Sequence, residues 1–489
     1  MRSTCPGVLA VLAAIVSTVA FAAHSACAQE AATPEIEGAV MQKLNVEVRS
    51  DPDGERVSPF LASASCHGLK RHTLKNDGWQ RSMNRLFGGN LLVLLQGAYK
   101  KPDEDGNWWD FEAIDTFIRE ARETWDVEEL MFLPQWWIGE WDGKSEPTAE
   151  QFDRSSQALT QLVQRYGVAG PLQVRYWVAC DEWSGAEYWT ANPEKFAEYY
   201  AGLVRDIKAV STDLMVGGPV DAWPSSAIVE ALLKECPELD FIAWNLFICG
   251  SADFPLDQLF AKTSALEREV LRSRQLSREI LGKELPVMVS SYNVNFHAWD
   301  PPDTRMASPI GGVWNALALV HLARAGAFSG VMYNVLALDC GMFGPRDGYA
   351  ITAGMLPASI DPDIVTVRPL THVHEFFRSH IAGATASRID IDGDPAGSVA
   401  FAATDGDGGQ AIVLVNSSTE IRSVRLTVRP FERTAYAEFD LPTEYLYCDQ
   451  SGLRRGSGLL FSADGSGEFM VPGYSAWCLK LAPVVAAEP

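Results

Sequence analysis

The chain has 489 residues, 47% of them hydrophobic, with 63 Asp and Glu against 40 Lys and Arg for a formal net charge of −23. That length can bury a large core and suggests one big domain plus a smaller one. The acidity argues against nucleic acid or an anionic membrane as a partner through bulk electrostatics, and it suits a neutral ligand such as a sugar.

The first 28 residues read as an export signal. Arg2 supplies the positive end, residues 8–23 form the apolar stretch, and Ala26-Cys27-Ala28 is a small-x-small cleavage site before Gln29. A secreted or periplasmic protein is expected, and His24 fits a lipid-attachment box at Cys27 poorly. Residues 29–54 are expected to be a polar leader. No later apolar run is long enough to span a membrane.

From residue 55 to 382, strand-like and helix-like segments alternate. The predicted strands are 60–66, 91–96, 129–134, 174–181, 214–220, 241–247, 286–292 and 330–336. Most are short continuous apolar runs, which suits strands buried on both faces in a parallel arrangement. Amphipathic helices are predicted over 110–125, 150–166, 193–210, 225–236, 256–281, 312–327 and 368–381, with Pro193 and Pro224 at plausible helix starts. This α/β pattern predicts a (β/α)8 TIM barrel. The alternative, a doubly wound open sheet, lacks a glycine-rich phosphate loop after its first strand. Residues 383–489 change to short alternating runs separated by turn clusters such as 405–409, predicting a C-terminal β-sandwich.

Of the nine cysteines, Cys5 and Cys27 lie in the signal, and the other seven show no CxxC or Cys/His zinc spacing. They read as small buried hydrophobes, with Cys448 and Cys478 the first candidates for a bridge. His67, His72, His297 and His321 form no metal spacing either, so neither a metal nor an organic cofactor is expected.

Residues 174–183, VRYWVACDEW, run a hydrophobic strand straight into an Asp-Glu pair. Parallel barrels keep their chemistry at the C-terminal strand ends. Aromatic residues gather at the same end: Trp136, Trp137 and Trp141 after the third strand, with Trp183, Trp189, Trp244 and Trp299 at other strand ends or loops. Flat rings of this kind stack on the apolar faces of sugars, although burial under the barrel loops accounts for any single one as well.

Cys180-Asp181-Glu182-Trp183, Tyr188-Trp189, the helix bearing Phe196, Tyr199 and Tyr200, the LMVGGP run at 214–219 and Asp240-Phe241-Ile242 occur in a telling order. With Trp109-Asp110-Phe111 and Arg368-Pro369-Leu370, they resemble glycoside hydrolase family 39 and its clan A relatives. That resemblance implies a catalytic barrel with a β-sandwich, acting on oligo- or polysaccharides, with xylosides favoured. It also implies that Glu182 is the general acid/base that gives a proton to the glycosidic oxygen. Asp181 stands where the family has an Asn that bonds a sugar hydroxyl, and it can accept that bond but not donate one.

Other positions depart from the family. Ser291 occupies the place of the nucleophilic Glu, and a serine without a histidine base is a poor nucleophile toward an acetal carbon. Asn245 and Phe247 replace a His and a Tyr of the sixth strand, and Gln96 ends a second strand that lacks the usual Arg-x-His. A retaining mechanism with carboxylates about 5–5.5 Å apart is therefore not supported. Three readings follow: hydrolysis with a relocated carboxylate roughly 6.5–9.5 Å from Glu182, a non-catalytic carbohydrate binder, or elimination involving Tyr292 or His297. Candidates for the relocated acid are Glu140, Asp142, Asp221, Asp300 and Asp339. Substrate contacts are expected from Gln96, Trp137, Trp183, Trp244, Asn245, Phe247, Ser291, Tyr292 and Asn293.

Overall fold

A computed structural model describes residues 42–51, 53–67, 91–95, 106–134, 141–296, 303–333, 343–345, 365–393, 397–429, 443–457 and 465–481. After β1 (Gln42–Arg49) come β2 (Ala62–His67), β3 (Leu91–Leu95), β4 (Glu129–Leu133), β5 (Tyr176–Val178), β6 (Met215–Asp221), β7 (Phe241–Cys249), β8 (Val287–Asn295) and β9 (Ser329–Met332). Strands β2 to β9 form a closed parallel barrel, sealed where Ala62 pairs with Gly330. The predicted barrel is the observed one.

Period-two alternation sorts the side chains. Tyr176, Val178, Phe241, Ala243, Met288 and Val331 fill the barrel with Phe60, whereas Trp177, Ile242, Trp244 and Val289 face the helices. Only a glycine fits at Gly217, because a Cβ there would stand 2.1 Å from the Phe241 ring. The helix Pro193–Val210 begins on proline, whose fixed φ suits a first turn, and buries Phe196, Tyr200 and Val204 against the barrel. Tyr200 donates its hydroxyl to the Gly217 carbonyl at 2.6 Å and accepts from the Ala179 amide at 3.1 Å. One phenol thereby ties the ends of β5 and β6 together just below Asp181.

The helix expected over 256–281 is two, Leu256–Lys262 and Ala265–Leu281. The helix Pro309–Arg324 is buried almost all round, as its uniformly apolar sequence requires. It lies under the sandwich, where the Cys448 thiol donates to the Pro309 carbonyl at 3.0 Å. Cys448 and Cys478 are both free and buried, so the candidate bridge is not formed.

A two-stranded ribbon, β10 (Phe343–Pro345) with β11 (Val365–Val367), precedes the last barrel helix Pro369–His380. The sandwich then comprises β12 (Thr385–Ala386), β13 (Arg388–Asp392), β14 (Ser398–Thr404), β15 (Gln410–Asn416), β16 (Arg422–Arg429), β17 (Thr443–Asp449), β18 (Gly452–Ser457), β19 (Ser466–Val471) and β20 (Ser475–Leu481). One sheet runs β12-β14-β15-β20-β17-β18, and the other runs β13-β1-β16-β19. Of the leader expected over 29–54, residues 42–49 are corrected: β1 is a central strand of the sandwich. It pairs in parallel with β16 and antiparallel with β13. Leu44, Val46 and Val48 alternate into the sandwich core against Val424, Leu426 and Val428, which is why this stretch forms a strand. Among the described residues no helix is long and apolar enough to cross a membrane.

Candidate active site

The Asp-Glu pair sits where β5 ends at the C-terminal mouth of the barrel. Asp181 is buried, and Glu182, immediately before the short turn Trp183–Gly185, is partly exposed. Asn245 on β7 joins them: its amide donates to Glu182 Oε1 at 2.9 Å and to Asp181 Oδ1 at 3.4 Å. The Asn245 carbonyl oxygen accepts the Ser290 hydroxyl at 2.8 Å. A neutral relay, Ser290 to Asn245 to the carboxylates, therefore crosses three strand ends.

The backbone under Glu182 is unusual. Glu182 has φ +55 and Val220, at the end of β6, has φ +53. Non-glycine residues rarely enter this left-handed region, and a β-branched one is an outlier. Such conformations persist only where the surroundings over-determine them.

Burial, with Glu182 next to it, pushes the Asp181 carboxyl up to about 8, against a smaller lowering by the Asn245 amide. The buried Asp221 carboxyl is also raised, chiefly by desolvation, although the Ser184 side chain and the amides of Trp223 and Ala222 oppose it. Among the described residues no lysine or arginine is a cause of the Asp181 shift. Clustered acids without a counterion do not all ionise together.

The substrate-contact candidates divide. Asn245 stands at the centre of the relay, and Phe247, partly exposed two residues on, meets Tyr333 edge to face at 5.6 Å. Ser291 is buried opposite Asn245 in the strand register, yet the hydroxyl that reaches the relay belongs to its neighbour Ser290. Gln96, Trp137, Trp136, Trp299, His297, Glu140, Asp300 and Asp339 lie outside the described residues.

Three expectations are corrected. Trp244 is fully buried on the outer face of β7 and donates its indole N–H to Ser273 at 3.1 Å. Tyr292 also faces outward: its hydroxyl donates to Asn315 Oδ1 at 2.9 Å, and its ring packs near Trp314. That placement removes it from any elimination chemistry. Asn293 is fully buried, with its amide given to the Tyr333 carbonyl and its oxygen taken by the Val294 amide at 2.6 Å. Trp189 is likewise core, stacked on Tyr199 and flanked by Trp141.

Two of the proposed second acids are occupied. Asp142 caps its own loop, accepting from the Lys144 and Ser145 amides at 2.9 and 3.0 Å. Asp221 faces the amides that begin the loop leading to Trp223. Among the described residues no group of three His, Cys, Asp or Glu is placed to hold a metal ion.

Solved structures similar to this chain show the same fold. A GH51 arabinofuranosidase from Xanthomonas axonopodis pv. citri matches with TM-score 0.64 at 12% identity, over 90% of this chain and 100% of its own. A Paenibacillus polymyxa xyloglucanase from glycoside hydrolase family 44 matches with TM-score 0.60 at 12% identity, over 90% and 100%. A GH30 endoxylanase from Clostridium papyrosolvens C71 matches with TM-score 0.58 at 13% identity, over 89% and 99%. No curated protein matches the sequence. The family model for glycosyl hydrolases family 39 matches residues 46–321, a span holding seven of the eight barrel strands, β2 to β8, and the acidic pair, with β9 just beyond. A barrel of this kind, carrying that pair at the end of β5, places the chain in glycosyl hydrolases family 39.

Proposed function

We propose that this protein cleaves glycosidic bonds in oligo- or polysaccharides, with Glu182 protonating the leaving oxygen. The supporting observation is the setting of Glu182: partly exposed at the barrel mouth, held by the Asn245 amide at 2.9 Å and carried on a left-handed backbone. Next to it, the Asp181 carboxyl is raised to about 8 by burial and by Glu182 itself, which favours a shared proton in the pair. Strand β8 offers serines where a retaining enzyme has its nucleophile, so in this reading water attacks the anomeric carbon and gives its proton to a carboxylate base that does not lie on β8, while Glu182 protonates the leaving oxygen. The neighbours in fold are an arabinofuranosidase, a xyloglucanase and an endoxylanase, which makes pentose-bearing plant polysaccharides the first substrates to try. The test compares wild type with Glu182→Gln on aryl glycosides and such polysaccharides. Loss of roughly a hundredfold or more in kcat is expected, and equal turnover by both proteins removes Glu182 from the chemistry.

A second reading, glycan binding without turnover, is favoured by one observation. The nucleophile position and its support are neutral, with Ser290 bonded to Asn245 and Ser291 alongside. Unaltered glycan affinity in Glu182→Gln, with no hydrolysis by either protein, selects this reading.

We further place the protein outside the cytoplasm, secreted or periplasmic, on the export signal over 1–28. N-terminal sequencing of the mature protein should begin at Gln29, and an intact Met1 in the purified cellular form defeats that placement.

A further inference from the structure

A cavity of about 510 Å3 opens where barrel and sandwich meet, between the last barrel helix, Pro369–His380, and strands β17 and β18. The helix turns one face to it, with His372, Glu375, Phe376, Ser379 and His380 recurring at helical spacing. Across the gap stand Glu444 and Leu446 of β17, two residues apart and so on one face of the strand, with Arg455 paired opposite Leu446. Leu446, Cys448, Phe376 and Phe377 belong to one buried core, which holds the two walls at a fixed separation. A preformed hollow of this size at a domain junction is a common place for a small ligand.

Its polar groups mix donors with acceptors. Arg455 donates to His372 Nδ1 at 2.6 Å and to Glu375 at 3.4 Å. A guanidinium cannot accept, so Nδ1 carries no proton and the His372 ring is the neutral Nε2–H tautomer. Its Nε2–H is left as a donor. Burial, helped by Lys480, holds the His380 imidazole below its usual range against Glu444, Asp405 and Glu375, which favours a neutral ring there too. Glu444 is exposed and makes no hydrogen bond or ion pair among the described residues. The walls thus offer two carboxylates, one guanidinium and two neutral rings. An anion meets surplus negative charge, and a cation finds Glu444 but wastes the N–H donors. An apolar body strips water from all of them without replacing it. Vicinal hydroxyls both donate and accept, as this set requires.

We propose that this junction cavity binds a neutral saccharide unit, whose vicinal hydroxyls bridge the Glu444 carboxylate and the N–H groups of His372 and Arg455. The site rests on the reading of this protein as one that handles saccharides, and it requires nothing of Glu182.

The test is nitrogen-15 NMR of the imidazoles in the full chain, with the two signals assigned by His372→Gln and His380→Gln. His372 should show the Nε2–H tautomer. Methyl β-xyloside should move both signals saturably, with a Kd of about 1–10 mM. Methyl β-glucuronide, the same ring with a carboxylate added, should bind about tenfold or more weaker. Glu444→Ala should weaken the xyloside about tenfold, and Glu444→Gln, which keeps an acceptor oxygen, should restore part of the loss. Thermal melting separates lost binding from lost folding, and the exposed Glu444 makes these variants safe ones. Glu182→Gln should leave the titration unchanged. Saturable binding here in a protein that hydrolyses nothing keeps this site and defeats the hydrolysis, whereas turnover with silent imidazoles does the reverse. Equal affinity for xyloside and glucuronide, an unchanged Kd in folded Glu444→Ala, or an Nδ1–H tautomer at His372 each overturns the assignment.

Discussion

The amide of Glu182 donates to the carbonyl of Val220 at 2.9 Å, and each of these two residues holds a left-handed backbone, at φ +55 and +53. Two unfavourable conformations are thus locked to each other across neighbouring strand ends, beneath the candidate acid. At Val220 the usual ranking of small residues should invert. Val220→Gly empties slightly more buried volume than Val220→Ala, but only glycine is at ease with this φ. Val220→Gly should therefore be the more stable of the two by about 1 kcal/mol in chemical denaturation. Val220→Ala coming out ahead would show that the left-handed turn is absent in solution.

Asp181 should govern the pH dependence. Its carboxyl is raised to about 8 in the fold by burial and by Glu182, against roughly 3.9 in an unfolded chain. Between those values the folded state holds one more proton than the unfolded state, so stability falls as pH rises through this window. Asp181→Asn removes that proton uptake. Its denaturation free energy should be flatter from pH 4 to 8 and should exceed that of wild type near pH 8 by roughly 1–3 kcal/mol. A parallel pair of stability curves would mean that Asp181 is already ionised.

Asn245 couples Ser290 to both acids, so its loss should be felt in chemistry and in stability. Asn245→Ala strands the buried Ser290 hydroxyl and leaves the Glu182 carboxylate without its amide donor. A cost of about 1–2 kcal/mol in folding is expected, with kcat on an active aryl glycoside down roughly tenfold or more. Unchanged kcat with lowered stability would restrict Asn245 to holding the strands together.

A structural ion pair away from the mouth should behave in the opposite way to Asp181. Asp115 is buried and accepts two bonds from Arg165, at 3.1 and 2.6 Å, and one from the Tyr166 hydroxyl at 2.8 Å. Burial opposes ionisation, yet these partners together hold the carboxyl below its usual range. Its stabilising effect is present above the unfolded carboxylate value and is lost as pH falls through the folded one. Asp115→Asn should cost about 1–2 kcal/mol at neutral pH, discounted because Arg165 is partly exposed. That difference should shrink in melts below about pH 4.

The barrel was legible because each of its strands is an apolar run bounded by helix signals, and 286–292 or 241–247 needs no tertiary information to be recognised. The direction of each side chain was harder. Once Asn245 faces the mouth, alternation alone sends Trp244 outward. For Tyr292 alternation alone gives the wrong face. The β8–β9 register shifts between Val289 and Tyr292, and this irregularity changes which residues point inward. Ser290, rather than Ser291, reaches Asn245, as alternation from the inward Met288 places it. Nothing in the sequence flanking Trp223 marks it as exposed. Residues 42–49 read as polar because charged letters alternate with Leu44, Val46 and Val48, and half of a strand's positions are polar when one face meets solvent.

The insertion of β1 between β13 and β16 bears on biosynthesis. This strand leaves the ribosome more than three hundred residues ahead of both of its partners. It must stay unpaired, with its apolar row bare, while the whole barrel is made. The sheet that holds it closes only when residues 42–49 meet strands made more than three hundred residues later.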